Sequence, residues 1–202
     1  MVNARVKKRE AIVKVAQAAM IIAVMLVLDL TNLGMIITPT VAITTYHIPV
    51  IVGAIIMGPY YGMLFGGFFG ALSIYAASTR GVSIADLAFS PFYSGDPVSS
   101  LIMSVGVRIL IGLVASLVFR CLTKHNINSI VSCVIAAILA TLTNTVGVLT
   151  CLWLLFPELS LTFKTVLKII ITVNCFLEVV LAVIFSLAFA KALPALRKYM
   201  NK

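Results

Sequence analysis

Residues 48–77 read IPVIVGAIIMGPYYGMLFGGFFGALSIYAA, thirty consecutive positions without a charged side chain. As a single helix this stretch would be about 45 Å long, against a hydrocarbon core of about 30 Å. Gly58-Pro59 lies near its middle, and proline can neither donate its amide nor fit inside a straight helix. The stretch therefore predicts two helices, at 43–57 and 60–78, joined by a tight turn. The first is short and reliant on its neighbours.

Apolar runs recur on both sides of this pair. Before it comes a run at 11–29, preceded by Arg5, Lys7, Lys8 and Arg9; after it come runs at 99–119, 129–155 and 165–193. The basic head resembles that of a signal peptide, but no small-residue cleavage site follows, so the run at 11–29 is expected to be a retained span. Between the runs lie LTNLGMIITPTVAITTY (30–46), which could form a short hairpin lid, the long polar loop RGVSIADLAFSPFYSGDPV (80–98), the basic turn RCLTKHNIN (120–128) and FPELSLT (156–162).

Composition agrees with this segmentation. Of 202 residues, 62% are hydrophobic and 10% charged, with a mean hydropathy of +1.17. Soluble domains run at about 45–50% apolar and about 25% charged. The expected fold class is an all-α integral membrane protein, a six-transmembrane-helix bundle forming one membrane domain over 1–202. The net charge of +9 sits mostly in segments flanking the apolar runs, where it reads as a topology signal and not as a nucleic-acid patch. Five Lys or Arg precede Ala16, two lie at 120–124 and four follow position 190, against Arg80, Lys164 and Lys168 on the other side. That asymmetry predicts both termini in the cytoplasm. Cys121, Cys133, Cys151 and Cys175 have no CxxC spacing and predict neither a disulfide nor a metal site.

Gly58, Gly62, Gly66 and Gly70 recur every four residues and are expected to let two helices of the same chain touch closely. Ala19 and Ala23 form a second small-residue pair, for which contacts within the chain and with a partner stand level. Polar side chains inside the spans are few: Arg108, Asn144, Asn174 and Glu178. Counted from the same end of their spans, they lie at one level, about 14–16 Å deep, with Glu178 one turn further in. Such groups need a partner or a cavity. One reading is an Arg108–Glu178 ion pair that orders the bundle; the favoured one is a ligand cavity. His47, Tyr75 and Tyr93 lie near the same end and could close it. There is no GxxxxGK[ST], no Ser/His pair and no HExxH, so neither a nucleotide motor nor catalysis is expected, and no cofactor. An integral membrane enzyme or a structural assembly subunit are the competing classes.

In chain order HIPVIVGAIIMGPYYGMLFGGFFG, FSPFYSGDP, VGVRILIGLVASLVF, TLTNTVGVL and TVNCFLEVVLA resemble the substrate-binding S components of energy-coupling factor (ECF) vitamin transporters. The likeness covers about Met20 to Ala190 and is greatest to the pantothenate-specific subunits, with hydroxymethylpyrimidine and pyridoxine subunits as near relatives. The resemblance implies a vitamin bound near the outer face of a cell-membrane protein, under a lid after the first span. It also implies partners, a membrane coupling protein and two cytoplasmic ATPases, the first meeting an Ala-xxx-Ala surface that Ala19 and Ala23 match. Were the ligand pantothenate, Arg108 would meet its carboxylate, Asn144 and Asn174 its amide and hydroxyl groups, and Glu178 would hold Arg108 from one turn below. A Glu178 that already neutralises Arg108 would suit an uncharged pyrimidine or pyridoxine instead.

Overall fold

The structure is a computed structural model and describes residues 2–36, 43–81, 84–157 and 173–200. Helix α1 spans Val2–Leu30; a two-residue antiparallel pair follows, β1 (Met35–Ile36) with β2 (Ile43–Thr44), in the register Met35 opposite Thr44. Then come α2 (His47–Met57), α3 (Pro59–Arg80), the single turn α4 (Ile84–Leu87), α5 (Pro97–Lys124), α6 (Ser129–Leu155) and α7 (Val173–Met200). Among the described residues four helices are long and apolar enough to cross a membrane: Ala11–Leu30, Pro59–Arg80, Pro97–Lys124 and Ser129–Leu155. His47–Met57 and Cys175–Ala188 are shorter apolar helices. The part of the 165–193 run before Val173 lies outside the described residues.

The break in the 48–77 stretch falls at Gly58. Its φ of 99° is one that side-chain-bearing residues rarely adopt, and Pro59 opens α3 at the position where its missing N–H costs nothing. At eleven residues α2 is about 17 Å long, too short to span alone. It is instead the centre of the bundle, packed against α1, α3, α5, α6 and α7. Val50, Ile51 and Ala54 of α2 are fully buried beside Phe65, Phe69, Ile111, Ala115, Ala136 and Ala140.

The glycine stripe faces α5. A Cβ on Gly62 would stand 2.6 Å from the Gly112 carbonyl oxygen, and one on Gly70 2.6 Å from that of Ser104; one on Gly66 would collide with the Arg108 carbonyl. The backbones of α3 and α5 therefore touch along three successive turns. By contrast α1 is hardly covered, with 6% of its apolar window buried, and rests on α2 and α3 through Ala18, Ile21, Ile22, Met25 and Leu28. Its far end is fastened by charge. Asp29, buried, pairs with Arg80 at the end of α3 and accepts the Tyr46 hydroxyl at 2.9 Å, while Arg80 also reaches the Asp29 carbonyl at 3.0 Å and the Asn32 side chain.

Asp96 caps α5. Its carboxylate accepts the Ser99 hydroxyl at 2.5 Å and the Ser99 and Val98 amides at 3.3 and 3.1 Å. Led by the Ser99 hydroxyl, these bonds hold the Asp96 carboxyl below its usual range. The cap's ionic contribution is thus fully present above the ordinary carboxylate pKa and lost as the pH falls through the lowered one. Thermal unfolding in detergent from about pH 6 to about pH 3 should show Asp96→Asn, which keeps a capping oxygen, losing less stability than the parent. Equal slopes would mean that this end of α5 does not limit unfolding.

Candidate functional site

Helices α2, α5, α6 and α7 each bring polar side chains to the end of the bundle that carries the β1–β2 pair. Arg108 is 4% exposed, about 16 Å below the start of α5. The helix reaches it through a π-helical turn, Ile102–Gly106, after which the Val107 amide bonds back five residues to the Ile102 carbonyl. Such turns are rare and recur at functional sites. The guanidinium folds back onto this turn, donating from Nη1 to the Met103 carbonyl at 3.1 Å. Its carbon lies 5.1 Å from the Phe69 ring centroid and 4.9 Å from that of Phe89. Among the described residues Nε has no partner.

Three other buried polar groups come from α2, α6 and α7. His47 opens α2 fully buried; neither ring nitrogen completes a well-aligned hydrogen bond among the described residues, although the Thr44 backbone adjoins the ring. Asn144 of α6 is 5% exposed, and its Oδ1 is also without a partner among the described residues. Glu178 of α7 is buried and satisfied: Oε1 accepts the Thr44 amide at 3.0 Å and its hydroxyl at 3.4 Å, and Oε2 accepts the Thr145 hydroxyl at 3.1 Å. One carboxylate thus joins α7 to the returning strand β2 and to α6. Arg108 is close enough to both His47 and Glu178 to interact electrostatically with each.

The Arg108–Glu178 ion pair, the alternative to a ligand cavity, is not formed among the described residues. Glu178 lies nearer to better-placed donors on the strand and on α6, and so does not support Arg108 from below; the π-turn carbonyl and two aromatic rings do that. Tyr75 and Tyr93 do not join the buried cluster. They are 56% and 63% exposed, and Tyr75 lies against Arg80 with the guanidinium carbon 5.8 Å from its centroid. Asn174 is on α7 one turn before Glu178, but its side chain lies outside the described residues.

Several contributors escape a reading of the sequence. Phe69 and Phe89 look like ordinary core and loop aromatics, and Thr44 and Thr145 like ordinary membrane threonines. Ser100 and Ser104 precede Arg108 at intervals of four, a spacing that could have drawn notice. They bond the long loop, Ser100 to the Ala88 carbonyl at 2.6 Å and Ser104 to the Phe89 carbonyl at 2.8 Å.

A buried cation with a free N–H edge, an imidazole without a well-aligned bond and an unpaired amide oxygen, all so among the described residues of a low-dielectric bundle, are costly unless something else supplies the partners. The arrangement suits a small polar molecule that carries an anionic group and both donors and acceptors. A depression lined by Thr123, Asn126–Ile130 and Lys191 is at the other end of α5, open and about 23 Å away along the helix, and does not communicate with these groups.

Residues 13–188 match the family described as ECF transporter, substrate-specific component. The pantothenic acid transporter PanT of Lactococcus lactis subsp. cremoris (strain MG1363) is 33% identical over 196 residues, covering 93% of this chain and 95% of that protein. A match that runs through α1 to α7, on a bundle of apolar helices built around buried polar groups, shows that this chain is a multi-pass membrane transport protein belonging to the family of ECF-transporter substrate-specific components.

Proposed function

We propose that the chain captures pantothenate at the Arg108 level, from the outer face of the cell membrane, and delivers it inward together with a membrane coupling protein and two cytoplasmic ATPases, without catalysing a reaction itself. The observation that carries the reading is Arg108. It is a buried cation with no ion-pair contact among the described residues: the Glu178 carboxylate is bonded by Thr44 and Thr145 instead, so the Arg108 Nε edge remains for a ligand. A buried guanidinium edge without a direct ion-pair contact favours an anionic vitamin over a neutral one. The likeness to PanT points the same way. His47 and Asn144 then supply bonds to the hydroxyl and amide groups. Six spans with both termini cytoplasmic put the β1–β2 pair outside, over the site.

Purified chain in lipid nanodiscs, titrated with labelled pantothenate and competed with hydroxymethylpyrimidine and pyridoxine, tests this. Saturable binding displaced by unlabelled pantothenate alone is expected. Binding of a neutral vitamin in its place would transfer the site to that class, and binding of none would leave an assembly subunit.

The coupling protein is assigned to α1, where Ala19 and Ala23 are exposed while their neighbour Ala18 packs inward. Ala19→Trp or Ala23→Trp is expected to leave pantothenate binding intact and abolish uptake, because the ring holds the partner helix away without entering the bundle. If the isolated variants lose binding to the same extent, the stripe packs internally.

A further inference from the structure

Resting on the carboxylate reading of Arg108, the geometry points to Phe89 as a positioning residue: held in place by Ser100 and Ser104, it clamps the Arg108 guanidinium against Phe69 so that the Nε edge faces the site, and this clamp sets the preference for a carboxylate-bearing ligand over its neutral analogue. An arginine side chain has four rotatable bonds before its planar group, and a single carbonyl bond fixes only one corner of the fork. Here Nη1 is spent on Met103 and two aromatic rings lie within about 5 Å of the guanidinium carbon. The edge left over is the one carrying Nε, whose N–H is buried and without a partner among the described residues. A fork that presents this edge in a fixed plane matches the two oxygens of a carboxylate.

The two rings are secured differently. Phe69 is fully buried on α3, one residue before Gly70 in the glycine contact, and is fixed by the core. Phe89 sits in the long loop and has no helix of its own to hold it. Its position depends on hydroxyl bonds to the loop: Ser100 to the Ala88 carbonyl, Ser104 to the Phe89 carbonyl, and the Ser78 hydroxyl with that of Ser90 at 2.7 Å. Ser100 and Ser104 come from the same helix as Arg108. Helix α5 therefore carries both the cation and the pegs for the ring that restrains it.

The experiment uses the full chain in nanodiscs and two ligands, pantothenate and the analogue whose carboxylate is reduced to an alcohol. Phe89→Leu is expected to weaken pantothenate about three- to thirtyfold, the range of a desolvated cation–π contact, and to leave the alcohol within about twofold. Phe89→Tyr, which keeps the ring, should restore the preference, and Ser104→Ala should lower it in the same direction as Phe89→Leu. Equal weakening of both ligands, or no change in either, would overturn the clamp. Arg108→Gln run alongside separates the two ideas: if it leaves pantothenate binding unchanged the carboxylate reading fails, whereas a large loss there with none in Phe89→Leu removes the clamp alone. A ligand-free readout covers the first case. With arginine labelled at Nε and the signal assigned by its absence in Arg108→Gln, the Arg108 Nε–H should resonate upfield of exposed arginines through ring currents and return toward them in Phe89→Leu. A resonance that does not move would also refute the clamp.

Discussion

Gly66→Leu is expected to remove most of the folded chain from the membrane, while the same change at the adjacent Gly67 is tolerated. A side chain at Gly66 begins inside the Arg108 carbonyl and 2.9 Å from the Ile109 Cα. These are backbone atoms of a packed helix and cannot rotate away. The helices must separate, and the contacts at Gly62 against Gly112 and Gly70 against Ser104 open with them. Overpacking typically costs about 1–3 kcal/mol when side chains can give; here the cost should reach or exceed the upper end. Gly67 meets only the Ile109 Cγ1, at 4.0 Å. There even Gly67→Ala should be neutral or stabilising, by up to about 1 kcal/mol of helix propensity. Size-exclusion profiles and detergent unfolding temperatures of the paired variants decide it. Normal yield of Gly66→Leu would mean that α3 and α5 are not in backbone contact.

Arg108→Gln is expected to cost about 1.5–3 kcal/mol of pantothenate affinity, about tenfold to a hundredfold, with the fold retained. Retention follows from the bonding of Glu178, which keeps the Thr44 and Thr145 donors whether or not Arg108 is charged. Arg108 and Glu178 interact at a distance without an ion-pair contact, so the loss should fall below the about 3–5 kcal/mol of a broken buried pair. Arg108→Lys should be nearly as damaging, since an ammonium offers no planar fork and no face for Phe69 and Phe89. Unchanged pantothenate affinity in well-folded Arg108→Gln would move hydroxymethylpyrimidine and pyridoxine to first place.

What the sequence discloses about this chain divides along physical lines. Helix ends marked by covalent geometry can be read directly: Gly58-Pro59 breaks the 48–77 run because of what glycine and proline are, whatever surrounds them. The stripe of small residues is equally legible, because four-residue spacing places them on one face before any partner is known. The start of α2 is less so. Ile43 and Thr44 are β-branched and apolar enough to continue the helix back to 43, but they pair with Met35 and Ile36 instead, and α2 begins at His47. Within the site, residue type reveals that Arg108, Asn144 and Glu178 need partners, and depth along the helix puts Arg108 and Asn144 level, with Glu178 one turn further in. Pairing is decided by distances of about an ångström across helices, which no spacing rule contains. That is why Glu178 turns to Thr44 and Thr145, why Asp29, which ends the first apolar run, is the buried partner of Arg80, and why Tyr75 and Tyr93 stay outside.

The π-helical turn at Ile102–Gly106 gives α5 an angular phase as well as a length. Removing one residue from it would leave an apolar helix that still reaches across a bilayer, yet would rotate Ser100 and the loop pinned to it by about 100° relative to Arg108. Hydropathy would register nothing. A one-residue gap at this point in a pairwise comparison therefore signals that Phe89 and Arg108 have parted company, even where both residues are retained.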